Sequence, residues 1–89
     1  MPYIKQEDRA KYAKITNQIY DLEKIETKGD LEYLVFVLMK KFMATREKRY
    51  STLHEVVYAI MHCADEYRRR FLDVRESQAL EENGDIKWF

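Results

Sequence analysis

The chain has 89 residues, 46% hydrophobic and 36% charged, and its formal net charge at pH 7 is zero. This balance is typical of a folded protein, and zero net charge gives no global field that favours nucleic acid or a membrane. A single Cys excludes an internal disulfide framework and a cysteine-based zinc site. With no apolar stretch of signal-peptide or membrane-spanning length, we expect one cytoplasmic domain, residues 1–89.

The first predicted helix runs from about Glu7 to Glu26. Its apolar residues recur every three or four positions and form one inward stripe: Tyr12, Ile15, Ile19 and Leu22. Gly29 suits the left-handed position that ends a helix. Asp30 is predicted to be the N-cap of the second helix. Because Gly29 and Asp30 leave only a short connection between the two helices, we expect the first two helices to pack antiparallel.

The second predicted helix is apolar on two sides. One stripe contains Leu31, Leu34, Val35, Leu38 and Phe42. A second stripe, about a third of a turn away, contains Phe36, Met39 and Met43. Either the first and third helices bury both stripes, or the second stripe is an interface between copies of the chain, since exposed Phe and Met clusters mark association sites.

The third predicted helix follows the polar segment from Thr45 to Tyr50. Its N-cap is predicted at Ser51 or Thr52, and Thr52 with Glu55 fits the capping-box pattern. Its inward stripe steps by three and four residues: Leu53, Val56, Val57, Ile60, Cys63, Ala64, Tyr67, Phe71 and Val74.

The pattern of the third helix changes near Asp73. If the helix continued at the same pitch, Arg75 and Gln78 would point into the stripe, so it kinks, ends, or extends as an arm. Asn83 and Gly84 form a stop signal. These elements predict an all-α fold, a compact antiparallel three-helix bundle with a long third helix and an apolar C-terminal tail, which oligomerises. The predicted oligomer interface comprises Phe36, Met39, Met43, Trp88 and Phe89.

One face of the third helix, opposite its stripe, carries side chains suited to recognition. Solvated faces are usually built from Lys, Glu, Gln and Ala, whereas this one has two His, a Tyr and an Arg. Basic residues also cluster around the second connection and in the run from Arg68 to Arg70, and Arg suits phosphate or carboxylate. Internal pairing of Asp65 with Arg69 and of Glu66 with Arg70 is the alternative. The predicted ligand-binding residues are His54, Tyr58, His62, Arg68, Arg69, Arg70, Lys48 and Arg49.

Catalysis is not expected. Cys63 and His62 are adjacent on a helix, point about 100° apart and cannot pair, so Cys63 is predicted to be a small core residue. His62 and Glu66 are one turn apart, but His54 lies about 12 Å from His62 along the axis, too far for one metal ion. Both glycines lie at helix ends, which leaves no glycine-rich phosphate loop. We expect no enzyme activity, metal or cofactor.

Four segments resemble a family of small uncharacterised proteins found chiefly in phages, prophages and bacteria. They are MPYIKQEDR, GDLEYLV, RYSTLHEVVYAIMHCADEYRRR and ENGD, in the same order. Relatives tend to carry a Pro after the YRR segment, where this chain has Asp73 and Val74. The family has no established activity; its phage association implies, by analogy, interference with host defence.

Three hypotheses follow. The first is a homo-oligomer that sequesters an anionic small ligand, such as a nucleotide signal, between protomers. The second is an adaptor or inhibitor that binds a host or phage protein through the His54/Tyr58/His62 face or the Trp88-Phe89 tail. The third is nucleic-acid binding, which zero net charge and the acidic segment from Glu76 to Asp85 count against.

Overall fold

A computed structural model describes residues 2–86. Over these residues the chain is α-helical and contains no strand. The helices are α1 (Gln6–Arg9), α2 (Ala13–Tyr20), α3 (Lys28–Met43), α4 (Tyr50–Tyr67) and α5 (Asp73–Asn83). A 3-10 turn, Ala10–Tyr12, joins α1 to α2, and a π-helical turn, Arg68–Leu72, joins α4 to α5. No helix in residues 2–86 is long and apolar enough to cross a membrane.

Contacts divide the described chain into two compact units. One is Tyr3–Tyr58, and the other comprises Pro2 and residues 59–86. The boundary falls within α4, and each unit is described by itself. The single domain expected from the sequence stays a prediction.

The first helical segment ends six residues earlier than predicted. α2 stops at Tyr20, where the Leu22 N–H donates to the Ile19 carbonyl in a tighter turn. Leu22 and Ile25 then lie with Leu34 around a surface cleft at the start of α3. The prediction of a helix through Glu26 was therefore wrong. Leu22 and Ile25 belong to the segment that connects α2 to α3, and they lie against α3 from there.

The cap of α3 also differs from the prediction. α3 begins at Lys28, and its N-cap is Thr27, whose Oγ1 accepts a hydrogen bond from the Asp30 N–H at 3.0 Å. Asp30 is thus in the first turn, where the positive end of the helix dipole stabilises its negative charge. Gly29 lies inside the helix and does not have the left-handed conformation expected of it.

Removing this cap should destabilise α3. We expect Thr27→Ala to lower the free energy of unfolding by about 1 kcal/mol, because the Asp30 N–H loses its partner. Urea denaturation followed by circular dichroism measures the change. Thr45→Ala is the control, since no side-chain hydrogen bond is seen for Thr45 within the described residues. Equal stability of the two variants would contradict this role of Thr27.

α4 begins at Tyr50, ahead of both predicted caps. Thr52 lies in the first turn, and its hydroxyl instead accepts from the Arg49 N–H at 3.1 Å. The helix does not end near Asp73: the π-helical turn interrupts its regular pitch, and α5 continues from Asp73 to Asn83. Gly84 ends α5 with φ of 81°, which confirms the predicted stop.

The two apolar stripes of α3 are not buried as stripes. The half-buried side chains are Val35, Met39, Phe42 and Met43, which lie on one face between the predicted stripes. Leu31, Leu34 and Leu38 are 50%, 37% and 51% exposed, and Phe36 is 62% exposed. Of the predicted interface residues, Met39 and Met43 therefore belong to the inward face and Phe36 to the surface. Trp88 and Phe89 lie outside the described residues.

The core of the described chain is very small. Val56 is the only buried residue in it, with 7% of its surface exposed. Other stripe residues of α4, such as Leu53 and Val57, are nearly half exposed. Cys63, predicted to be a core residue, is exposed. The buried core of a three-helix bundle is thus not seen in residues 2–86, and the bundle and its oligomerisation stay predictions.

Candidate functional site

Three aromatic rings form a ladder on the N-terminal half of α4. Tyr50, His54 and Tyr58 are spaced at i, i+4, which aligns side chains on one helix face. The ring centroids of Tyr50 and His54 are 4.2 Å apart in an edge-to-face arrangement. Those of His54 and Tyr58 are 5.3 Å apart and stacked. His54 is half-buried and Tyr50 is 81% exposed, so the ladder ends in a ring open to a ligand.

A basic loop, residues 47–49, directly precedes the ladder, and the side chain of Thr52 holds this loop in place. The Thr52 hydroxyl accepts from the Arg49 N–H and lies 2.5 Å from the Glu47 carbonyl oxygen. Arg49 forms an ion pair with Glu47, but both side chains are more than 70% exposed, so the pair contributes little stability. No ion pair is seen for Lys48 within the described residues. Lys48 and Arg49 precede the N-terminus of α4. Helix N-termini attract anions, so the two cations and the helix end attract the same kind of ligand.

His62 lies in a different group of side chains. His62, Asp65, Glu66 and Arg69 line an open cleft of about 390 Å³. The Arg69 Nε donates to Glu66 Oε1 at 2.9 Å, and the Glu66 side chain is only 12% exposed. A charge-assisted hydrogen bond of this kind occupies both groups. An anion here would have to displace the largely buried Glu66 carboxylate, whereas the carboxylate paired with Arg49 is exposed, so this cleft is a poorer anion site than the basic loop.

The arginine run is paired internally, though not at the predicted spacing. Arg68 pairs with Asp65 at 3.2 Å, and Arg69 pairs with Glu66. Both pairs span three residues, whereas the alternative to ligand binding was pairing at four residues, Asp65 with Arg69 and Glu66 with Arg70; either spacing brings two side chains to one helix face. The Arg70 guanidinium lies 5.0 Å from the centroid of the Phe71 ring.

The remaining basic residues around the second connection have separate roles. Arg46 donates to the Phe42 carbonyl near the end of α3, and its guanidinium lies 3.7 Å from the centroid of the Phe42 ring. This contact closes the C-terminus of the helix with a cation, as its dipole favours. Lys40 and Lys41 are exposed in the last turn of α3. Of the basic residues around this connection, Lys48 and Arg49 are the two that directly precede the aromatic ladder in the chain.

The structure thus separates the predicted ligand-binding residues into two groups. Lys48, Arg49, His54 and Tyr58 belong to the first unit, while His62 and the arginine run belong to the second. Tyr50 completes the ladder but was missed, because it was assigned to the connection before the helix. Its i, i+4 spacing from His54 was the signal that could have identified it.

Metal-ligating residues do not converge in the part of the chain that the structure describes. No group of three His, Cys, Asp or Glu side chains there is close enough to hold a metal ion. The arrangement around α4 offers aromatic rings at helical spacing, directly preceded by the cationic side chains of Lys48 and Arg49.

A family model matches residues 1–86 and is described as a domain of unknown function, DUF6899. No curated protein and no solved structure matches the chain. The match includes all described residues, so both groups of side chains lie within the family's domain.

Proposed function

We propose that the chain, which belongs to the DUF6899 family, is a non-enzymatic homo-oligomer that sequesters an anionic small ligand such as a nucleotide. The observation that carries this proposal is the exposed end of the aromatic ladder beside a basic loop. Tyr50 supplies an open ring, and Lys48 and Arg49 precede it directly. Resemblance to phage proteins supports interference with host defence as the biological role, the captured nucleotide being a signal.

The binding mode assigns each part of the ligand to one part of this surface. The base stacks on Tyr50, whose ring orientation is supported by His54 and, beyond it, Tyr58. The phosphate accepts hydrogen bonds from Lys48 and from the guanidinium of Arg49, which exchanges its exposed pair with Glu47 for the ligand. The N-terminus of α4 adds the partial positive charge of the helix dipole.

Thermal unfolding in the presence of adenine and guanine nucleotides tests the proposal. A nucleotide at 100 times its dissociation constant should add about 2.7 kcal/mol to the stability, which raises the Tm by about 10 °C or more in a domain of this size. Tyr50→Leu should weaken binding about five- to a hundredfold, because base stacking on an aromatic ring contributes about 1–3 kcal/mol.

Tyr20→Leu is the matched control. Tyr20 is also 81% exposed but lies at the end of α2, away from the basic loop, and its loss should leave nucleotide binding unchanged. Equal losses in both variants would contradict a specific role of the ladder. No shift with any nucleotide would contradict the proposal and favour the alternative, a protein partner bound through the His54/Tyr58/His62 face.

A further inference from the structure

α3 exposes a row of leucines beside its half-buried residues. Leu31, Leu34 and Leu38 follow the three- and four-residue spacing of a helix-pairing stripe, and each keeps between 37% and 51% of its surface exposed. This leucine stripe was predicted to face the core, but the inward face is centred near Met39. An apolar row of this spacing matches the contact face of a second helix.

Charges of opposite sign flank the leucine stripe at its two ends. Asp30 lies in the first turn of α3 and Lys41 in its last turn. The two are about three turns apart and share nearly the same angular position, beside Leu34. No ion pair is seen for either side chain within the described residues. The flank is thus acidic at one end and basic at the other.

The acidic end also contains a cleft that suits a lysine. It has a volume of about 290 Å³ and is lined by Leu22, Lys24, Ile25, Glu26, Asp30, Tyr33 and Leu34. Its apolar walls match the methylene stem of a lysine, and its two carboxylates outnumber the one ammonium group of Lys24, so the cleft keeps a net negative charge for a second ammonium group. A second copy of the chain presents such a side chain, Lys41, if its α3 runs in the opposite direction.

We infer that two copies of the chain pair antiparallel through the leucine stripe of α3. Two-fold symmetry then places Asp30 of each copy beside Lys41 of the other, so that the charge contact occurs twice. A parallel pair with two-fold symmetry would instead put this flank of the two copies on opposite sides of the interface, so Asp30 and Lys41 would not meet. This inference rests on the homo-oligomer of the proposed function and assigns its interface.

Mixing two charge-reversed variants tests the pairing. Asp30→Lys alone puts two lysines together at both contacts, and Lys41→Glu alone puts two carboxylates together, so each should raise the dimer dissociation constant about tenfold. An equimolar mixture restores opposite charges at both contacts and should form heterodimers at wild-type affinity. Sedimentation equilibrium measures all three samples, with circular dichroism as the check on folding.

Lys40→Glu is the matched control, because Lys40 is in the same helical turn but points about 100° away from Lys41. It should dimerise like the wild type. Failure of the mixture to recover, or a wild-type chain that stays monomeric, would overturn the antiparallel pair. A monomer that still binds nucleotide through Tyr50 would overturn this interface and the homo-oligomeric state of the proposed function but leave its ligand, while an antiparallel dimer without nucleotide binding would overturn only the ligand.

Discussion

Nucleotide affinity should fall at least about a hundredfold when Lys48→Glu and Arg49→Glu are combined. Each side chain is proposed to form a charge-assisted hydrogen bond with the ligand phosphate, and such bonds contribute about 1.5–3 kcal/mol each. The reversed charges also repel the phosphate at the N-terminus of α4. Isothermal titration calorimetry at about 0.15 M salt measures the affinity, since higher salt would screen the contrast.

A control with the same total change of charge separates a local effect from a global one. Lys5→Glu with Lys14→Glu reverses two exposed lysines outside the basic loop. These substitutions should change nucleotide affinity less than about threefold, because charges farther away than about 8 Å are screened at this salt concentration. If both double variants lost affinity equally, the ligand would respond to net charge, and the basic loop would not be its site.

Val56→Asp should cost about 3 kcal/mol or more of the free energy of unfolding. Val56 is 7% exposed, the lowest value in residues 2–86, so the substitution puts an unpaired carboxylate in the one buried position there. Small domains are stable by only about 5–15 kcal/mol, and this loss would remove much of that margin. Urea denaturation followed by circular dichroism measures it.

The adjacent residue provides the control. Val57 has the same side chain in the same helix but is 45% exposed, so Val57→Asp should cost less than about 1 kcal/mol. Equal losses at low protein concentration would contradict the view that burial of Val56 holds this unit together. The comparison is therefore made at several concentrations, because any contribution from association falls on dilution.

Local signals predicted the helices better than their ends. The stop at Gly84 was correct because a positive φ is a local property that glycine tolerates best. The cap of α3 was placed on Asp30 although Thr27 holds it: both residue types are good caps, and the sequence contains both within four positions. Which of the two caps α3 depends on the residue at which the connecting segment with Leu22 and Ile25 ends and α3 begins.

The candidate site was predicted in part. His54 and Tyr58 were selected because they lie opposite the apolar stripe, and the structure places them in one ladder. The three-residue pairing of Arg68 and Arg69 with acids was not specified, since two acids and three arginines allow several pairings at helical spacing. Only the side-chain geometry shows that Arg69, near His62, is paired with a largely buried carboxylate, whereas the ion pair of Arg49 in the basic loop is exposed.

The sequence by itself determined that the chain is helical, because the three- and four-residue spacing of its apolar residues is a local property of each segment. It also determined the order of the long helices and the presence of His54 and Tyr58 on one face of α4, with basic residues in the connection before it. Only the tertiary structure decided which face of α3 is covered, leaving Leu31, Leu34 and Leu38 exposed. Burial depends on neighbours that are distant in the chain, and a helix that is apolar on two sides does not specify which side they cover.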